Sequence, residues 1–409
     1  MPVQVQIAFN LSANAVGNYL TLDDTTKGKL NDATYPLAGD VLVDVTSTVR
    51  DISVRRGRSR TLEKFTAGLA QVTLDNRSRL YDPTYTAGLY YGSIVPRKQV
   101  RISRDGRAIY SGNVESWSWD YDIGGDAVAD VQAVDGFAAL AQADMQAGTA
   151  VGSTPGARIG TALNYAGWPA ASRALSAGNA TLDSDVVGDG VNVLAYIQKV
   201  EQSEPGAFFI SKNGLATFLS RGQLQDPTSS GAVFGGTAGI PFVEYKAASL
   251  TDEMKNTVAV IYTAGSVTGG TATATDTASL QAYGQIDYTL DTVLSGGLQA
   301  QRLADWLVSS YKDPKYRIDS ITVLMESISS AQQLQVLDIE LGDVVTVTVS
   351  LPNVASVGTP VTQLLTVDQV EHKIEPDQHY VTFTMSEATT GFVLDDATFG
   401  VLNISRLGF

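Results

Sequence analysis

Apolar and polar residues alternate with a period of two along most of this chain, and that pattern predicts a mainly β protein. In Val3-Gln4-Val5-Gln6-Ile7-Ala8-Phe9, the residues Val3, Val5, Ile7 and Phe9 fall on one face of a strand. Ala70, Val72 and Leu74 alternate with Gln71 and Thr73, and Asp75-Asn76 supplies the turn that ends the run. Trp117, Trp119 and Tyr121 share a face opposite Ser116, Ser118, Asp120 and Asp122. Large aromatics fit a pleated, half-buried surface, so these three are expected as core aromatics of a barrel. A sugar-binding platform is the sharper reading of the same stripe.

Helical spacing interrupts the alternation in the middle of the chain. Thr154-Pro155 starts a helix whose apolar stripe is Ile159, Ala162, Leu163 and Ala166, and Gly167-Trp168-Pro169 ends it. A second stripe, Val193, Leu194, Ile197 and Val200, stops at Glu204-Pro205-Gly206. Two β-prone runs follow, on either side of Asn213-Gly214, a dipeptide that favours hairpin turns because both positions tolerate positive φ. Residues 146–245 therefore read as a small α+β domain between two β regions, 1–145 and 246–389. The later region carries one further helix, Leu298 to Tyr311, and a Gly-, Thr- and Ala-rich stretch from Gly265 to Ala278 that is expected to be a flexible loop. Residues 390–409 hold aromatic and aliphatic side chains but too few for a core, and are expected to dock on a neighbour.

The two β regions share a layout. Val100-Arg101-Ile102, the long run through Ile109 to Glu115, and Val128 to Val131 read as strand, long strand, strand. Val345-Thr346-Val347, Leu364 to Glu371, and Tyr380 to Phe383 read the same way. A duplicated barrel explains this, and two similar barrels per chain would let three chains close a ring of near-sixfold outer symmetry.

Composition narrows the function classes. The 409 residues carry a formal net charge of −15, and charged residues make up 17% against roughly 25% in ordinary soluble proteins. The charge is uneven: from Arg50 to Arg107 the balance is +8, and elsewhere it is −23. The densest basic cluster, Arg55, Arg56, Arg58 and Arg60, is expected at a subunit interface, because it lacks the aromatic interleaving of a nucleic-acid site. There is no cysteine, which excludes disulfides, thiolate metal sites and cysteine nucleophiles. No apolar run is long enough to span a bilayer, and Met1 to Leu20 lacks the pattern of a signal peptide.

Catalytic patterns are missing. Gly152-Ser153-Thr154-Pro155-Gly156 is not a nucleophile elbow, and Lys27-Gly28-Lys29 lacks the glycine frame of a phosphate loop. Asp183-Ser184-Asp185 begins like a calcium loop but fails at Val187 and Leu194, where ligands are required. His372 and His379 flank a predicted hairpin turn and read as polar residues at strand ends. Asp120 and Asp122 form the one carboxylate pair worth weighing for glycan cleavage, and nothing around them singles them out. The chain is expected to be no enzyme and to need no cofactor or metal.

Several runs in fixed order resemble phage minor tail proteins of the tail hub family. They are Asp44-Val45-Thr46, Val49-Arg50, Arg56-Gly57-Arg58-Ser59, Phe65, Ala67-Gly68, Val72 to Asn76, and Tyr81-Asp82-Pro83. Val100-Arg101-Ile102 and Tyr110 to Val114 continue the likeness, as do Ala282-Tyr283-Gly284, Tyr311 to Pro314, Leu341 to Val345, Phe392 to Asp396 and Gly400-Val401-Leu402. The resemblance implies a fold like that of baseplate hubs and type VI secretion spike bases, with two tube-like β-barrels and an inserted α/β domain. It implies a homotrimeric ring at the virion tail tip, assembled in the host cytoplasm, that joins a sixfold tail tube or distal tail ring to threefold tip components. Its partners would then be the distal tail protein, the tail tube or tape measure protein, and tip or fibre proteins. DNA would pass along an acidic channel without sequence-specific binding. A hexameric distal tail protein is the neighbouring alternative, and a tail-associated glycan hydrolase or carbohydrate-binding protein is a more distant one. Relatives with an enzymatic extension differ from this chain, which is expected to leave lysis and receptor recognition to partners.

Overall fold

Each alternating run becomes a strand in the computed structural model, which describes residues 3–9, 41–60, 62–225, 231–249, 253–350 and 360–388. The segment expected to dock, 390–409, lies outside the described residues. The first β region supplies β1 (Val3–Phe9), β2 (Val41–Asp44), β3 (Val49–Gly57), β4 (Thr66–Asp75), β5 (Gln99–Arg104), β6 (Arg107–Tyr121) and β7 (Ala127–Val134). They pair antiparallel in the order β3-β4-β7-β6-β5-β1-β2. Val3, Val5, Ile7 and Phe9 are buried, as are Ala70, Val72 and Leu74, so alternation selected the inward face correctly. Each such Val, Ile or Leu removed from water contributes about 1.5–3 kcal/mol, which is what holds the sheet on its core.

The central layer contains α1 (Pro155–Tyr165), α2 (Val193–Ser203) and a small sheet of β8 (Arg173–Leu175), β9 (Ala207–Ile210) and β10 (Ala216–Leu219). Pro155 opens α1 at a position where its missing N–H costs nothing, and Ile159, Ala162 and Leu163 are buried beneath it. The side chain of Asn192 caps α2 by accepting from the amide of Ala195. At the β9–β10 turn only Gly214 takes positive φ, at 84°, so the hairpin closes as a turn followed by a glycine bulge and Asn213 stays right-handed.

The second β region opens with β11 (Val233–Gly235) and β12 (Glu244–Ala248), then β13 (Thr257–Ala264) and β14 (Val267–Thr275). The stretch expected to be a flexible loop is thus strand β14, paired along the whole of β13. Its glycines mark close packing: a Cβ on Gly269 would lie 2.6 Å from the ring of Tyr262. Ala272 and Ala274 are buried, and they let the strand pass close under a helix. Next come α3 (Thr277–Tyr283), β15 (Asp287–Ser295) and that helix, α4 (Gly297–Tyr311), with Leu303 and Leu307 buried as its stripe requires. β15 runs parallel to β13, and the Val293 amide donates to Ser203 Oγ, which seats this layer on α2. The α/β layer therefore draws on residues both before and after position 245.

The chain ends its described part with β16 (Arg317–Leu324), α5 (Ser330–Asp338), β17 (Val344–Ser350), β18 (Pro360–Ile374) and β19 (His379–Glu387). Here the duplication predicted from pattern is visible in detail. β6 and β18 are each 15 residues long, and each is bulged against the strand that follows it, after Val114 in one and after Val367 in the other. β7 pairs onward with β4 and then β3; β19 pairs onward with β16 and then β12. The protein is mainly β, and its two β domains are fused: β3 pairs with β18, giving one 13-stranded sheet that spans both.

Candidate assembly interface

The joint between the two β domains is a seam of six facing residues on each strand, from Ile52 opposite Ile374 to Gly57 opposite Gln369. Gly57 is required there. Its φ is 117°, and a Cβ would sit 2.1 Å from the backbone carbonyl of Asp368. One residue on, the Arg58 amide donates to that same carbonyl at 2.9 Å, and its Nε donates to Asp368 Oδ1 at 2.8 Å. The guanidinium also lies 4.6 Å from the centre of the Phe65 ring.

Arg56 reaches the other side of the seam, where its Nη1 donates to Glu340 Oε1 at 2.8 Å. Burial alone would raise the Glu340 carboxyl. The charges of Arg56 and Lys212, with the amides of Lys212 and Leu341, outweigh it and hold the group below its ordinary value. Lys212, from the β9–β10 turn, donates its Nζ to the carbonyls of Leu337, Asp338 and Ile339 at the end of α5. A cation at a helix C-terminus satisfies carbonyls that have no partner within the helix.

The two histidines lie at the strand ends beside the β18–β19 turn, as their positions in the sequence imply, and both are buried there. His372 is 4% and His379 1% exposed, because closing the β18–β19 hairpin tucks both rings beneath Arg104 of β5. Arg104 Nη1 lies 2.6 Å from His379 Nδ1, and an arginine can only donate. His379 therefore keeps its proton on Nε2 and donates it to His372 Nδ1, 3.0 Å away. Burial pushes both imidazoles down, His379 to about 3 and His372 well below its usual value. They are neutral parts of the joint, with no metal-ligating cluster near them among the described residues.

Of the four arginines expected at a subunit interface, Arg56 and Arg58 are thus engaged inside the chain, Arg60 is half-buried near Glu253, and Arg55 alone is exposed. Trp117 and Trp119 are half-buried, and their Nε1 groups donate to the carbonyls of Val95 and Tyr81. Trp117 stacks on Tyr81 at 6.2 Å, within a cluster in which Phe9 and Tyr90 lie 4.1 Å apart. Tyr121 is 52% exposed, since the end of β6 runs beyond β5 and, among the described residues, has a neighbouring strand on one side only. Asp120 and Asp122 are both exposed, and Asp183 accepts from the amides of Ser184 and Gly265 as an ordinary loop carboxylate. A cavity of about 130 Å³ lies beside Arg58, Glu201 and Tyr311.

The seam, the repeated meander and the layer between them can be compared with known folds. A 43 kDa tail protein of prophage MuSo2 from Shewanella oneidensis superposes with a TM-score of 0.55 over 86% of this chain and 96% of its own, at 11% identity. The tail protein from Neisseria meningitidis MC58 superposes with a TM-score of 0.58 over 93% and 96%, at 10% identity. The fold is that of phage tail proteins. A component of the Escherichia coli type VI secretion system, described as similar to bacteriophage T4 tail proteins, follows more loosely at TM-score 0.47, with 9% identity over 83% and 73%. No protein-family model matches the sequence, and a search of curated proteins returns no match.

Sequence reasoning found the arginines but not what they hold. Glu340, Asp368, Lys212 and Arg104 are single polar residues with no spacing signal, each meeting partners more than a hundred positions away in the chain. The one usable hint was Gly57 between Arg56 and Arg58, a glycine inside a strand and therefore a mark of close backbone approach.

Proposed function

We propose that this chain is a structural component of a phage-type virion, the hub of a tail tip or baseplate, and not an enzyme. The observation that carries the reading is the repeated meander joined side by side through one seam. A trimer of such chains would present six similar β modules around one axis. In this reading residues 1–145 and 246–389 build the tube, 146–245 form the domain between them, and 390–409 dock on a neighbour. The ring would join the sixfold tail tube or distal tail protein to threefold tip or fibre proteins, with the tape measure protein and then DNA occupying the channel. The formal charge of −15 suits a wall that a polyanion must slide past. Arg55, exposed on β3, is the cluster's remaining candidate for contact with a neighbour.

The test is the copy number of the chain in intact particles, by quantitative mass spectrometry against the tube subunit. Three copies are expected. Six would replace the hub with a hexameric distal ring, and absence from the particle would overturn the structural role.

A further inference from the structure

The two meanders are completed unequally. In the second, Gln369–Ile374 of β18 has β19 on one side and β3 on the other. The matching stretch of β6, Ser116–Tyr121, has β7 on one side and no strand on the other among the described residues. The strand that corresponds to β3 is β12, which lies outside β16 as β3 lies outside β4. Its far edge is likewise without a strand among the described residues. Burial follows the same division. Val370, His372 and Ile374 are buried and face buried Arg56, Val54 and Ile52, whereas no residue of Ser116–Tyr121 or of Glu244–Ala248 is buried.

We propose that β12 of one chain pairs antiparallel with Ser116–Tyr121 of a second copy, repeating between chains the seam that β3 and β18 make within each. This deepens the hub reading and rests on it. The polarity agrees, because β12 is antiparallel to β16 as β3 is to β4, and every step of both meanders alternates in the same way. The register follows from rows across the sheet. Ile52 faces Val72, which faces Val131, which faces Trp117; Tyr245 faces Ile321, which faces Phe383, which faces Val370. Tyr245 therefore stands where Ile52 stands, and Tyr121 closes β6 where Ile374 closes β18. Carrying the seam across places Tyr245 opposite Tyr121 of the partner subunit, and Lys246 opposite Asp120 of the partner subunit.

Both facing pairs are favourable, one aromatic and one of opposite charge. Open strand edges are templates for such addition, and a chain that offers β12 at one end and β6 at the other makes a head-to-tail contact, the kind that closes as a ring when the rotation between copies is one third of a turn.

The chain has no cysteine, which makes disulfide trapping clean. A chain carrying both Lys246→Cys and Asp120→Cys, mildly oxidised, should give covalent species that stop at the trimer on a non-reducing gel. Either substitution alone should give none, and the two single variants mixed should give only a covalent dimer. Moving one partner two residues, as Ser118→Cys with Lys246→Cys, should reduce the product at least tenfold. Lys246→Glu should lose the trimer in native mass spectrometry, and adding Asp120→Lys should restore it. A single variant that links to itself would overturn the proposal in favour of a twofold contact. A trimer by mass that never cross-links would overturn the edge pairing and leave the hub reading intact. A chain that stays monomeric at every concentration would overturn it as well, while copy number in particles decides the hub reading separately.

Discussion

Arg58 and Asp368 are 310 positions apart in the chain and meet at 2.8 Å across the joint between the two β domains. The Asp368 side chain is 2% exposed and that of Arg58 11%, so neither charge is shared with bulk water. Removing one partner should therefore cost far more than removing both. Arg58→Met is expected to lower stability by about 3–5 kcal/mol, read as a lower urea midpoint, and Arg58→Met with Asp368→Leu should recover most of the loss. Equal midpoints for the single and double variants would remove the pair from any account of the seam.

Gly57 and Gly106 separate two effects of positive φ. Gly106, in the β5–β6 turn, has φ 77° with open space around it, so Gly106→Ala should cost about 1–2 kcal/mol for backbone strain alone. Gly57→Ala adds a clash with the Asp368 carbonyl, a backbone atom that cannot swing aside. Thermal unfolding should show a clearly larger loss for Gly57→Ala, accompanied by proteolysis near the joint.

Stability should be unusually flat between about pH 4.5 and 6.5, because buried groups of opposite kinds offset each other. His379 sits at about 3 and His372 is also depressed, so as pH falls through 6.5 the unfolded chain takes up protons that the folded one refuses, and stability is lost. Asp135 and Glu201 are pushed up to about 7 by burial, so over the same window the folded chain holds protons that the unfolded one has released, and stability is gained. Glu201→Gln keeps the acceptor for the Phe208 amide but removes one of the gaining groups. That variant should lose stability on acidification by up to about 1.4 kcal/mol per pH unit, where the parent changes little. A parallel pH profile for the two proteins would refute the balance.

The two tryptophans separate a structural role from a binding one. Their indole N–H groups are bonded to Val95 and Tyr81, and Trp117 stacks inside an aromatic cluster. Replacing both with Ala should cost several kcal/mol, below the roughly 3–5 kcal/mol per site of fully buried aromatics, and leave retention on host-wall glycans unchanged. Loss of sugar retention in a folded variant would restore the platform reading.

The fold was legible wherever local pattern and burial agree. Val3–Phe9, the helix at Pro155 and the 15-residue strands β6 and β18 follow from alternation, capping and turn residues. The strand at Val267–Thr275 was not legible, because its Gly and Ala content signals a loop locally. Only the Tyr262 ring and the helix above it explain why small side chains are needed there. The strand-end positions of the histidines were legible from the turn, but their burial was not, because the arginine that covers them comes from another strand. Trp117 and Trp119 are half-buried with their indole N–H groups bonded, whereas the exposure of Tyr121 depends on where β5 stops, which the alternation does not tell. At the joint, composition pointed to Arg56 and Arg58 as contact residues and could not say that the contact lies within the chain.

The β3–β18 ladder also sets a schedule for synthesis. At about 5–20 residues per second, a ribosome needs roughly 15–60 s to make the 310 residues between Arg58 and Asp368. Throughout that interval β3 is a finished edge awaiting its mate, and a neighbouring nascent chain on the same message carries an identical mate. The strand that unites the two halves of the finished molecule is therefore also the point at which two unfinished ones can exchange halves, and early protection of that edge decides whether the product is a monomer ready to assemble or a swapped tangle.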